Sequence, residues 1–162
     1  GESWISPNWN LPPVAIDDIK FAFPANDLVL GSYGRGIIIL DNIDFLSDAS
    51  AKVFHSKSHL FTPRPVSMKK PAHKNPDAGK YFWHSPDPAN GLNLDYYTLE
   101  KAKVRFEILD YEGNVLVSIQ EMSLPGFNRF NIPAAKIDQA ASYIKMYCND
   151  LEHIEIIQFK SE

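Results

Sequence analysis

Residues 27–44, DLVLGSYGRGIIILDNID, hold two apolar runs, 28–30 and 37–40, on either side of a turn that carries Gly31, Gly34, Gly36 and Arg35. Aliphatic and β-branched runs bounded by Gly and Asp predict two strands meeting at a tight connection. The run Ile37-Ile38-Ile39-Leu40 does not alternate, so burial on both of its faces is expected. A lone hairpin cannot supply that cover. More protein has to surround this stretch, and part of it should come from the rest of the chain.

Upstream, residues 14–23 (VAIDDIKFAF) read as a strand of mixed pattern stopped by Pro24-Ala25-Asn26-Asp27, a turn in which proline fixes φ and Asn and Asp tolerate tight geometry. Together these runs predict a three-strand antiparallel meander over about residues 14–40. Residues 1–13, with Trp4, Trp9, Pro7, Pro12 and Pro13, form an extended lead-in. Residues 47–60 suit one short helix capped by Ser47 or Asp48, and the prolines of residues 61–79 suit an irregular connector.

From Lys80 onward the pattern becomes period-two. Leu92, Leu94 and Tyr96 share a face, as do Val104, Phe106 and Ile108 after them. Asp110-Tyr111-Glu112-Gly113-Asn114 predicts a hairpin turn, with Val115, Val117 and Ile119 returning on the buried face. Phe130 and Ile132, then Ile144, Met146 and Cys148, then Ile154 and Ile156 mark the remaining strands. Six or seven short strands with regular turns imply an antiparallel β-sandwich. The fold class expected is all-β, in three parts: residues 1–46, a basic proline-rich connector over 47–78, and a sandwich over 79–162.

With 44% apolar and 22% charged residues the chain is globular, of a length for one ordinary domain or two small ones. A net charge of −4 argues against nucleic acid as a partner. No apolar run is long enough to span a membrane. Gly1-Glu2 reads as a start inside a longer protein. Cys148 is the sole cysteine, so neither a disulfide framework nor a cysteine-based zinc site is expected. GSYGRG lacks the Lys-Ser/Thr pair and the following helix of a phosphate-binding loop, and nothing else signals a cofactor.

Two stretches resemble known modules. LPPVAIDDIKFAFPANDLVLGSYGRGIIILDNIDFL (residues 11–46) is similar to the last blade of sortilin-like, BNR-type β-propeller proteins from bacteria. The resemblance rests on Leu11, Pro12, Val14, Asp18, Pro24, Asp27–Val29, Gly31, Gly34–Gly36, Ile39–Asp41 and Ile43, and His59-Leu60-Phe61 with Pro63-Arg64-Pro65 resembles the segment leaving the propeller. GLNLDYYTLEKAKVRFEILDYEGNVLVSI (91–119) with PGFNRFNIP (125–133) resembles the Ig-like or fibronectin-III-like module that follows, a module also similar to one in the flagellar hook-capping protein. The family's Asp-box is absent, Tyr33 stands where histidine is common, and Ser142 stands where glycine often precedes the penultimate strand. The resemblance implies a propeller-blade segment followed by an Ig-like sandwich, an extracytoplasmic location (periplasmic or secreted), and the upstream blades of the same protein as partner. Such proteins are often named glycosyl hydrolases; any such activity would belong to residues upstream of these.

Candidate site residues each have a second reading. Arg35 in its glycine turn could meet an anionic or sugar ligand, or tie neighbouring blades through carboxylates and carbonyls; the tie is favoured. A glycosidase needs two carboxylates about 5 to 9.5 Å apart. Asp17 and Asp18 point to opposite faces of a strand, and Asp41 and Asp44 sit at a strand end where turn or joint duty accounts for them. No catalytic residue is therefore assigned. Tyr81, Trp83 and Tyr97 could stack on carbohydrate, against the competing demand of core and interface. His55 and His59 would share a side of a helix but lack a third ligand for a metal. A blade cut from its ring leaves a strand edge open, to be covered by residues 1–13 or by a second copy in a homodimer. The expected role is a structural or interaction module; the alternatives are part of a glycosidase and a carbohydrate-binding module.

Overall fold

A computed structural model describes residues 11–66 and 91–159. The turn signals at 24–27 and 33–35 do what their residues dictate: β1 (Ile16–Ala22), β2 (Asp27–Ser32) and β3 (Gly36–Leu40) form an antiparallel meander in the order β1-β2-β3. Gly34 and Gly36 turn the chain at φ of 85° and 72°, values that side chains with a Cβ rarely adopt. Cross-strand register places Ile19, Leu30 and Ile38 in one row and Phe21, Leu28 and Leu40 in the next, on one face. Val29, Ile37 and Ile39 lie on the other, beside Lys20 and Asp18.

The cover expected over Ile37–Leu40 is not provided within the chain. Ile37 is 73% and Ile39 53% exposed. The remainder of the protein meets this sheet at one end, and neither face is layered over by the strands that follow. β1 and β3 are its two edges, and no further strand pairs with either among the described residues.

Two four-residue helices follow, α1 (Phe45–Asp48) and α2 (Ala51–Phe54), in place of one helix over 47–60. Asp44 and Ser50 are their N-caps, without a side-chain capping bond. The stretch read as connector then supplies a strand, β4 (Ser58–Leu60), so part of residues 47–78 belongs to the sandwich. His55 ends α2 and His59 lies on β4, so the two are not on one helix.

The remaining strands are β5 (Gly91–Thr98), β6 (Lys103–Leu109), β7 (Val115–Met122), β8 (Gly126–Pro133), β9 (Tyr143–Cys148) and β10 (Leu151–Ile156). They form two antiparallel sheets, β4-β5-β8 and β10-β9-β6-β7. Leu60, Leu92, Leu94, Tyr96 and Ile132 of the first pack against Val104, Phe106, Ile108, Ile144 and Met146 of the second in one core. The protein is all-β, as the alternation predicts.

β5 is buried on both faces. Its Leu92, Leu94 and Tyr96 face the second sheet, while Tyr97 faces a second cluster with Phe45, Val53, Phe61 and Phe127 under the short helices. Two expected faces are wrong. Val115 is 52% exposed, because a register shift between Ile108 and Leu109 resets the pairing at the start of β7. Ile154 and Ile156 are exposed as well, and β10 presents His153 and Glu155 to the interior side instead. No helix of the described residues is long and apolar enough to cross a membrane.

Candidate functional site

The densest polar arrangement among the described residues lies where the meander meets the sandwich. It starts from local turn chemistry. Asn26 and Asn42 both take positive φ, 58° and 51°, which asparagine tolerates better than most residues. These turns bring the two ends of the β2–β3 pair together. The Asn42 N–H donates to Asp27 Oδ1 at 2.8 Å, the Ile43 N–H to the Asn26 carbonyl at 2.8 Å, and Asn26 Nδ2 to Asp44 Oδ1 at 2.5 Å.

Two arginines from distant parts of the chain close on this loop. Arg64, past β4, donates through Nε to Asp44 Oδ2. Arg129, on β8, faces Asp95 across the β5–β8 pair. Its Nε donates to Asp95 Oδ1 at 2.6 Å and its Nη2 to Oδ2 at 3.1 Å, the two-point geometry that a guanidinium makes with a carboxylate. Nη1 and Nη2 also donate to the carbonyls of Asp41 and Asn42, each at 2.5 Å. The guanidinium carbon stands 5.8 Å from the Phe45 ring centre. One side chain thus holds a buried carboxylate of the sandwich and the loop that ends the meander.

The two carboxylates titrate in opposite directions. The hydrogen bond from Arg64 holds Asp44 below its ordinary value, with Asn26 helping and burial opposing. Burial pushes Asp95 above its ordinary value, only partly offset by Arg129. Neither is poised as an acid–base pair, because both spend their oxygens on internal partners. Asn26 Oδ1 and Asn42 Oδ1 are buried without a hydrogen-bond partner among the described residues. Next to the joint is a cleft of about 340 Å³ walled by Ile39, Ile43, Phe45, Leu124 and Phe127, with Asp95 and Arg129 among its polar lining.

The sequence candidates distribute as follows. Asp44 is part of the joint through its carboxylate; Asp41 is part of it through its backbone carbonyl. Arg35 is exposed in the β2–β3 turn, far from the Arg64 and Arg129 contacts in sequence and without a hydrogen bond or ion pair among the described residues. Tyr97 is 6% exposed, edge-on to Phe54 and Phe127 at 5.9 and 5.8 Å, so it is core and offers no stacking face to a sugar. Tyr81 and Trp83 lie outside the described residues, as do residues 1–10 of the expected edge cover. Cys148 is buried, and burial raises its thiol, as expected of an inert cysteine. No group of three or more His, Cys, Asp or Glu suited to a metal ion exists among the described residues.

Sequence reasoning missed Asp95 and Arg129. The one available signal was an acid inside the apolar run LNLDYY; its partner became visible only through strand register. No family model, no curated protein and no solved structure matches this chain.

Proposed function

We propose that the chain is a non-catalytic structural module, the C-terminal part of a larger extracytoplasmic β-propeller protein, in which an Ig-like sandwich caps or positions the propeller through its last blade segment. One observation carries the reading. The meander leaves Ile37, Ile39, Ile19 and Phe21 open to solvent, yet its end is fixed to the sandwich by Arg129 and Arg64. A sheet with apolar residues on both faces is made to be covered, and a sheet anchored at one end is made to be held in place. The resemblance of residues 11–46 to a terminal blade supplies the identity of the cover: neighbouring blades. Arg35, projecting from the free end of the hairpin, would then meet those blades. The carboxylates near the joint favour structural duty over hydrolysis, since each is tied to arginine or asparagine.

The test is thiol labelling of Ile39→Cys, first in this chain and then in the longer protein that contains it. Rapid modification here and strong protection there is the expected result. Equal reactivity in both would overturn the reading, as would hydrolysis of a sugar conjugate by this chain alone.

A further inference from the structure

The two sheets of the sandwich meet along one side at β4 and β10, and they meet there through side chains. β4 pairs only with β5, and β10 only with β9. No backbone hydrogen bond joins β4 to β10 among the described residues; the nearest main-chain link is from the Val66 N–H to the Gln158 carbonyl, 2.7 Å, beyond both strands. What closes the seam is Ser58 Oγ at 2.9 Å from His153 Nε2, Thr62 Oγ1 donating to Glu155 Oε2 at 2.9 Å, and the edge-to-face pair of His59 and His153 with ring centres 6.2 Å apart. His59 also packs edge-on against Phe61 at 4.7 Å. Ser58 is fully buried and both imidazoles are half-buried.

We propose that this seam is an acid-sensitive latch: protonation of the His59–His153 pair loosens β4 from β10, and with β4 the Arg64–Asp44 tie that holds the meander. The neutral pair packs well; a doubly charged pair would put two cations against each other in a half-buried site. The surroundings only partly compensate. Glu155 on β10 and Asp48 on α1 favour a charged His59, whereas Lys52 on α2 opposes it. His153 is opposed by His59, and Ser58 and Cys148 beside it bring no negative charge at neutral pH. Burial is the largest influence on both rings, and both titrate below the ordinary histidine value. A base held low in the folded state favours folding in full above its unfolded value, near 6.5. That contribution is lost as pH falls through the folded values, so the latch weakens below about pH 6.5.

β4 matters beyond its length. It is continuous with α2, which covers Tyr97, and it runs into Arg64 only four residues later. Slack in β4 therefore reaches the joint directly.

Amide hydrogen exchange of this chain between pH 7.5 and pH 5 tests the proposal. The reporter is the Phe61 N–H, which donates to the Asp95 carbonyl at 3.0 Å; amides of β6 and β9 at the same pH cancel intrinsic rates. Protection of Phe61 relative to those strands is expected to fall about tenfold, the equivalent of one pH unit of linkage, and to stay flat in the His59→Gln/His153→Gln variant. An unchanged ratio in the natural chain, or the same fall in the variant, would overturn the latch. Should the variant not fold, imidazole titration followed by NMR in the natural chain decides: both rings titrating below 6.5 supports the proposal, and either ring at or above it refutes it.

Discussion

Arg129 shows how much one side chain can join. Its guanidinium satisfies Asp95, a residue 8% exposed, and the two carbonyls that terminate the meander. Arg129→Met would strand a buried carboxylate and two carbonyls at once, and is expected to cost about 2 to 3 kcal/mol in urea unfolding. Asp95→Asn should differ sharply, changing stability by no more than about 1 kcal/mol, because a neutral amide still accepts from Arg129 and avoids the cost of burying charge. Linkage gives the same sign. Asp95 is held above its ordinary value by burial, so its favourable contribution is complete below that value and lost as pH rises through the folded one. At neutral pH the ionised Asp95 is therefore a liability that asparagine removes. Asp44 runs the other way: lowered first by Arg64, it stabilises above its ordinary value of 3.8 and ceases to as pH falls through the folded one. Equal losses for Arg129→Met and Asp95→Asn would contradict this account.

At the scale of elements, β5 is the strand on which both layers depend, and its first residue is its most constrained. Gly91 has φ of 126°, and a Cβ there would lie 2.1 Å from the Ile132 carbonyl oxygen and 2.7 Å from the Ala134 nitrogen. Those are backbone atoms of the paired strand and the turn after it, which cannot rotate away. Gly91→Ala should cost about 2 kcal/mol or more, read as a lower thermal midpoint, whereas Gly113→Ala in the open β6–β7 turn meets no atom within 4 Å and carries only its own φ strain. Equal costs at the two positions would remove the steric argument. Strand existence was legible from alternation because β6, β8 and β9 each bury one face. Face assignment was less so. An edge strand such as β10 puts Ile154 and Ile156 outward and His153 and Glu155 inward, and apolar content alone cannot tell the two faces apart when the inward polar groups have partners across the seam. β7 illustrates the second obstacle, since a bulge shifts parity without leaving a mark in composition.

For the whole molecule, the meander was legible because all of its contacts are short-range: two turns and three apolar runs define it. The joint was not, because Arg129 reaches Asp41 across 88 residues and Asn42 across 87, and no local pattern encodes such a meeting. The same separation determines how the protein should unfold. A three-stranded sheet with this much exposed apolar surface has little to stabilise it alone, whereas the two-sheet sandwich encloses its own core. The meander should therefore persist through its anchorage, and the natural chain should lose both parts in one calorimetric transition. In Arg64→Met/Arg129→Met the anchors are gone while the sandwich core is untouched. Amides of β1–β3 should then lose their protection and those of β6 and β9 keep theirs, so that hydrogen exchange divides the molecule at residue 44. If the double variant instead protects the meander as well as the natural chain does, the sheet is stable without its anchors, and the two arginines do not hold it.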